Sequence, residues 1–488
     1  MRYNKLWFRL AEKGLKKKDL QNLTGLSSAT IAKLAHNQTV SLQTLQKICH
    51  ALNCDLNEIM DTTSRASTLN LNKETSSSYL MNSFFSGIGG FDIAFERQGF
   101  KTAYLCEIND YCNKVLSQHW PNVDRGFDIN EVNPDKLPFA EVWCGGFPCQ
   151  DISLARGGKR MGLKGARSGL FYQFADLVEQ RRPRVVILEN VAGLLSSNHG
   201  HDFGVILHRM TSMGYSVSWR LLNTRYFGAP QSRPRMYLCC WLNSPMQAVK
   251  TLFDQEGAHA CTAERLDFIT PSSKPSGVIV PKVSYCLAAT SGRHTGTDWS
   301  RTYVVTDTGV RRMTPLEYER LQGFPDQWTQ IDSIQSDEQD TLRYTALGNA
   351  VSVPVVEWIA SKLQSQLDQE YPDRVSFDDI QSLIPEFLHT SWNDLDLDEK
   401  QLMSEAVTYK WPKAGIAWKN KYIGGQVPPS PAIPIASDLG ESVQGSVDDK
   451  RYYLTPNAAE GILRRVNSQN RKLFPPLYEA LEKLSAQK

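Results

Sequence analysis

The chain reads as an α/β protein preceded by a small all-helical unit. Three observations predict this. Short apolar runs alternate with helical stretches over residues 79–364. Residues 1–61 carry short helical patterns and no strand pattern. Between them, residues 62–78 (TTSRASTLNLNKETSSS) are Ser/Thr-rich and almost without apolar side chains, which reads as a flexible linker. A chain of 488 residues is too long for one hydrophobic core. Its 41% hydrophobic and 22% charged content is that of a globular protein.

Composition excludes several classes. No apolar run approaches the roughly eighteen residues of a membrane span, so no membrane association is expected. The opening MRYNKLWFRLAEKG lacks the apolar core of a signal peptide, and a cytoplasmic location is expected. The ten cysteines include no CxxC pair, and no His cluster has metal-ligand spacing, so no metal is expected. In a reducing compartment these read as free thiols. The formal net charge of +2 hides an asymmetry: residues 1–60 hold nine Lys/Arg against four Asp/Glu, and residues 368–399 hold ten acids against one Arg. Such segments point to separate modules with separate partners.

In the first module, Leu6, Phe8 and Leu10 open a helix. A short helix is expected over 17–23, then a tight turn at Thr24-Gly25-Leu26 in which Gly25 takes positive φ. Ser27 is placed to cap the next helix, Ser28–Ala35, and Ser41 a further one whose Leu42, Leu45, Ile48 and Leu52 share a face. Two short helices joined by a Gly turn make a helix-turn-helix. The segment resembles Cro/C1-type repressor domains. A helical bundle that binds only protein is the alternative, and the basic balance favours DNA. On the DNA reading Ser28, Ala29 and Thr30 face base edges and Lys33 reaches a phosphate, with dimerisation on a palindromic operator.

In the second module the strand candidates are YLMNSFF, KTAYLCE, EVWCGGF, RPRVVILEN and RPRMYLCCW, with helices such as GLFYQFADLVEQ between several of them. This alternation predicts a doubly wound sheet with its ligand loops at the carboxyl ends of the strands. After Trp241 the sequence is irregular until about Thr308, consistent with an inserted recognition lobe over 242–308. Residues 365–488 form a further region with an acidic start, a Pro-rich middle and a basic helical end, where Thr455 can cap a helix that begins at Pro456.

The loops carry the chemistry. Phe85-Ser86-Gly87-Ile88-Gly89-Gly90 ends the first run, and Glu107 follows twenty residues after Gly87 at the end of the second. Glycines there admit a ligand close to the backbone, and the acid can bind the hydroxyls of a ribose. Cys149 follows a strand within GGFPCQ, where a thiolate can add to an electron-poor ring. Glu189 closes the run RVVILEN, where a carboxyl can activate a base by hydrogen bonding to it. Arg233 and Arg235 precede another strand and can hold a phosphate or a pyrimidine carbonyl.

FSGIGG, GGFPCQ, ENV, QxRxR and LGNAVSVPVV occur here in this order, with RMTPLEYERLQGFPDQW before the last. Together they resemble the DNA cytosine-5 methyltransferase family over residues 79–360. The resemblance implies a Rossmann-like S-adenosylmethionine-dependent methyltransferase fold with an inserted target-recognition lobe. It implies S-adenosyl-L-methionine contacts at Phe85, Gly87, Gly89, Glu107, Asp128, Leu170 and Asn349, although GFDIN around Asp128 departs from the family's usual GDI. It implies Cys149 as nucleophile, Glu189 as the carboxylate on a flipped cytosine, and Arg233 and Arg235 beside the base and its phosphate. The Gly-rich stretch 150–165, with Gln150 and Ser153, resembles the loop that closes over DNA. Double-stranded DNA is the expected partner, with a cognate restriction endonuclease as a further one. Two other readings stay open: a tRNA cytosine-5 methyltransferase, and a DNA-binding regulator with an inactive catalytic domain. The helix-turn-helix argues against the first, and the full set of expected catalytic residues against the second.

Overall fold

The computed structural model describes residues 6, 10, 15, 17–35, 40, 42–52, 78–147, 169–254, 257, 265–274, 276–290, 300–372, 375–395 and 408–487. The chain divides into two compact units, Met1–Ser77 and Ser78–Lys488, and each is described by itself.

The first unit contains helices Lys17–Thr24, Ser28–Ala35 and Leu42–Leu52. Gly25 takes a φ of 67° and its N–H returns to the Gln21 carbonyl at 2.9 Å, so the chain turns where a side chain would be strained. Ser27 caps the second helix, its Oγ accepting from the Thr30 N–H at 3.2 Å. Leu6, Leu10, Leu20, Ile31, Leu34, Leu45, Ile48 and Leu52 form one buried cluster. Spacings of three and four residues place them on the inner helix faces.

The second unit is built on a ten-stranded mixed sheet. Its strands are β1 (Leu80–Phe84), β2 (Lys101–Cys106), β3 (Asp124–Gly126), β4 (Val142–Gly145), β5 (Val185–Val191), β6 (Tyr215–Asn223), β7 (Pro234–Leu242), and further on β12 (Asn393–Asp394), β13 (Ala414–Trp418) and β14 (Lys421–Gly425). The order is β12-β14-β13-β6-β7-β5-β4-β1-β2-β3. Strands β3, β2, β1, β4 and β5 are mutually parallel. From β7 outward the pairings are antiparallel.

Both faces are covered, which is why the parallel strands read as continuous apolar runs. Val185 and Ile187 point into one core, with Phe91 and Phe95 of helix Gly90–Glu96 and Val356 and Ile359 of helix Val353–Leu367. Val186 and Leu188 point into the other, with Phe171 and Phe174 of helix Leu170–Arg181 and Phe203 and Leu207 of helix His201–Ser212. No helix among the described residues is long and apolar enough to cross a membrane.

Two regions are more ordered than their sequence suggests. Within the stretch read as irregular, helix Pro245–Leu252 packs on the sheet. A four-stranded antiparallel sheet follows: β8 (Pro271–Ser273), β9 (Ile279–Pro281), β10 (Tyr303–Thr306) and β11 (Gly309–Arg312). The region beyond 365 contributes β12–β14 to the main sheet through the pairing of β13 with β6. It also contributes a helical hairpin, Pro456–Ser468 and Pro475–Ser485, with Thr455 capping the first helix through the Ala458 N–H at 3.2 Å. The hairpin covers one face of the small sheet. Tyr303, Val305 and Val310 pack with Ala459, Ile462, Val466, Leu473, Phe474, Leu477 and Leu481. The alternate residues Val278, Val280 and Val304 face the main core.

Candidate functional site

Strand register gathers the loop motifs at one edge. Phe84 pairs with Cys106 and Gly145, Cys106 with Gly126, and Gly145 with Leu188. The residues just beyond these aligned ends are Phe85, Glu107, Phe127-Asp128, Gly146 and Glu189. Motifs a hundred residues apart in the chain thus fall along the carboxyl edge of the parallel strands.

On the β1–β3 side the backbone turns sharply. Phe85, Gly87 and Gly89 have φ of 53°, 56° and 79°. Ser86 ties the loop to β2, its Oγ accepting from the Cys106 N–H at 3.1 Å and donating to the Ser83 carbonyl at 3.1 Å. The Glu107 carboxylate accepts from the Gly87 N–H at 2.7 Å and from the Asn109 N–H at 2.8 Å, one bond to each oxygen. Each oxygen retains acceptor capacity for a further hydroxyl. Space is open around Gly87: a Cβ there would meet nothing within 4 Å. Asp128 accepts from the Asn130 N–H at 2.9 Å, so one of its oxygens is engaged in capping the short helix Ile129–Glu131.

Ile108 and Phe127 are 69% and 62% exposed. Each is adjacent in sequence to one of these acids. The sequence reading missed both, and the signal was available: a large apolar residue next to an acid at a strand's carboxyl end. An acidic group that accepts hydroxyls, beside exposed apolar surfaces and an unobstructed glycine, fits a nucleoside cofactor. Leu170 begins helix Leu170–Arg181 and packs partly buried at the second core. Asn349 ends helix Ser336–Asn349 and is exposed. Two residues on, Val351 lies against Gly90, where a Cβ would approach its Cγ2 to 2.6 Å. The last motif therefore abuts the first.

On the β5 side, antiparallel pairing sets Val191 opposite Arg235, and the Arg235 Nε lies 3.2 Å from Glu189 Oε1. Burial pushes the Glu189 carboxyl above its ordinary value, with Arg235 and Arg233 pulling it the other way. The two arginines have separate environments. Arg235 is slightly exposed beside Glu189. Arg233 is 1% exposed, and its guanidinium donates to Leu287 O at 2.9 Å, Gly348 O at 3.0 Å and Ala350 O at 2.7 Å. Arg233 thus joins the small-sheet region to the Asn349 segment, which is a positioning task. Cys286, also missed, has its Sγ 3.6 Å from Arg233 Nη1 and 3.9 Å from both Nη atoms of Arg235.

Asn190 Nδ2 donates to the Phe147 carbonyl at 2.9 Å and so holds the backbone in the first half of GGFPCQ. Cys149, Gln150 and Ser153 lie outside the described residues, as does the whole stretch 150–165. Among the described residues no cluster of His, Cys, Asp or Glu is arranged to hold a metal ion.

In the first unit, Ser28 and Lys33 are exposed. Ser28 Oγ accepts from Gln21 Nε2 at 3.1 Å. Thr30 is half-buried, and its hydroxyl shares a hydrogen bond with Ser27 Oγ at 3.0 Å, so it serves the helix cap.

Comparison with known proteins identifies the family. The family described as C-5 cytosine-specific DNA methylase matches residues 79–266 and 264–365. The Cro/C1-type helix-turn-helix DNA-binding domain matches residues 5–64. The type II methyltransferase M2.BsuMI of Bacillus subtilis is 33% identical over 305 residues, covering 58% of this chain and 74% of that protein. The type II methyltransferase M.NgoBI of Neisseria gonorrhoeae is 32% identical over 298 residues, covering 56% and 89%. A solved methyltransferase from Entamoeba histolytica aligns with a TM-score of 0.43 and 18% identity over 60% of this chain and 100% of its own. With its motifs collected at one sheet edge and the family matched over more than half its length, the chain belongs to the C-5 cytosine-specific DNA methylases and carries a Cro/C1-type helix-turn-helix domain at its N-terminal end.

Proposed function

We propose that the chain methylates carbon 5 of a flipped cytosine within a specific duplex site, with S-adenosyl-L-methionine as donor. The observation that carries this reading is the single sheet edge that holds both an acid suited to a ribose, Glu107, and a buried acid paired with a cation, Glu189 with Arg235. Phe85, Gly87, Gly89, Glu107, Asp128, Leu170 and Asn349 would hold the cofactor, with Ile108 and Phe127 against its flat ring. When bound, the cofactor supplies an electrophilic methyl group for carbon 5.

The remaining chemistry is the chain's own. Carbon 5 of cytosine is a weak nucleophile. Addition of the Cys149 thiolate to carbon 6 forms a carbon–sulfur bond and drives ring electrons toward carbon 5. Glu189 hydrogen-bonds or protonates ring nitrogen 3 and so stabilises the adduct. A carboxyl raised by burial holds its proton to higher pH than an exposed one. Arg235 orients Glu189 and faces the base, and Arg233 braces the lobe behind them. Loss of the carbon-5 proton and expulsion of the thiolate then free Cys149. A stacked base is out of reach, so the cytosine must leave the duplex, which costs a few kcal/mol.

The relatives are type II methyltransferases. This supports a role in restriction-modification or in DNA protection, with a cognate endonuclease as partner. The N-terminal unit is read as an operator-binding repressor of the enzyme's own gene. The test is methyl transfer from labelled S-adenosylmethionine to duplex DNA and to tRNA, with bisulfite sequencing of the DNA. Labelled DNA that C149S fails to produce supports the reading. Labelled tRNA alone, or full activity of C149S, overturns it.

A further inference from the structure

The formal charge of residues 78–488 is −3. A unit that repels a polyanion on average must hold duplex DNA through local clusters of cations. One such cluster lies in the C-terminal helical hairpin. Residues 464–472, RRVNSQNRK, contain four Lys/Arg and no acid, with amide and hydroxyl side chains between them. These are the groups that contact phosphates. The hairpin's acids Glu460, Glu479 and Glu482 fall outside this stretch.

The turn is rigidly placed. Val466, Leu473 and Phe474 are buried in the cluster that joins the hairpin to β9, β10 and β11. Asn470 takes a φ of 49°, and the Arg471 N–H returns to the Val466 carbonyl at 3.0 Å, closing the helix end. Arg464, Asn467, Asn470 and Lys472 are all exposed. The small sheet that carries the hairpin is tied in turn to the base site. Ser232 N donates to Ser284 O at 2.9 Å, and Arg233 Nη1 to Leu287 O. A helix C-terminus favours a cation through its dipole, but that accounts for a charge in the last turn and not for an acid-free run that continues past it.

We propose that the turn 464–472 is a DNA-backbone contact, by which the C-terminal hairpin extends the footprint of the recognition lobe. Arg464 and Lys472 each neutralise a phosphate outside the base site. This rests on duplex DNA being the substrate.

The test uses the full chain and its R464Q/K472Q variant. Binding to a duplex is measured from 50 to 200 mM salt, together with methyl transfer and thermal midpoint. Two lost phosphate contacts should reduce the slope of log K against log salt by about 2. The half-saturating DNA concentration should rise, and the turnover at saturating DNA and the thermal midpoint should be unchanged. The charge-retaining R464K/K472R variant should keep the wild-type slope. An unchanged slope in the glutamine variant overturns the proposal. A lower midpoint with an unchanged slope does the same and assigns the cations to helix capping. Failure of the wild-type chain to methylate any DNA would overturn the substrate reading instead, and that is seen without either variant.

Discussion

Glu189 and Asp92 are both carboxyls raised by burial, yet their surroundings separate chemistry from architecture. Glu189 has Arg235 at 3.2 Å and stands at the sheet edge. Glu189→Gln keeps a hydrogen bond to the base but has no proton to give, so turnover is expected to fall by about 10²–10⁴ while the fold persists. Single-turnover methyl transfer with circular dichroism checks this, and turnover within a few-fold of wild type would refute the role. Asp92 is fully buried under the glycine loop and accepts from Ser83 Oγ at 3.1 Å and Thr102 Oγ1 at 3.3 Å. Burial pushes its carboxyl up to about 7 from an ordinary value of 3.8. Its contribution to stability is therefore fully present below the ordinary value and is lost as pH rises through about 7. Asp92→Asn should flatten the stability profile across that window and leave the variant the more stable protein at pH 8. Denaturant midpoints against pH would show it, and parallel profiles would sink it. The motif residues were legible singly, because each combines a reactive side chain with a strand end. The division of labour between Arg233 and Arg235 was not. Two residues apart at the start of β7, they differ in that Leu287, Gly348 and Ala350 turn their carbonyls toward Arg233.

At the scale of elements, the apolar runs of β1, β2, β4, β5 and β7 were readable because both sheet faces are buried. Strand β6 carries the alternation Tyr215, Val217, Trp219, Leu221, a two-residue period that was equally available and went unread. The short strands β8–β11 have three or four residues each, too few for a period to show. Their apolar positions acquire meaning only when the C-terminal hairpin is set against them. That dependence is testable. Leu477 is 3% exposed in the cluster with Tyr303, Val305 and Val310. Leu477→Ala should cost about 2–5 kcal/mol in that layer and raise protease sensitivity within 271–312, where the small sheet lies. Equal digestion of that segment in both proteins would show that the lobe does not need the hairpin. By the same reasoning, an exchange of residues 242–308 for a relative's should move the methylated site, and should do so cleanly only when the hairpin travels with the lobe.

For the whole molecule, the two units differ in charge, +5 for residues 1–77 against −3 for the remainder. The N-terminal unit has its own buried core, so it is the better equipped to hold DNA non-specifically and can be assayed alone. It is expected to bind the region upstream of its own gene more tightly than random duplex. Lys33→Ala should weaken binding to every sequence, and Ser28→Ala mainly to the operator. Thr30→Ala should instead lower helix stability, since its hydroxyl is engaged with Ser27. Gel shifts with residues 1–77 at physiological salt decide the matter, and equal affinity for both duplexes would rule out autoregulation.

What the sequence determined by itself was local and periodic: the helix turn at Gly25, the apolar strand runs, and the motif residues that follow them. These depend on backbone freedom, side-chain period and reactivity, each confined to a few neighbouring residues. Only the tertiary structure decided which motifs meet. Strand register aligns Phe84, Cys106, Gly126, Gly145 and Leu188, and so brings Glu107 and Glu189 to one edge. It also decided that residues 414–418 close onto β6 and that residues 456–485 cover the small sheet. Such pairings are chosen by the burial of surfaces far apart in the chain, and no local pattern carries that information.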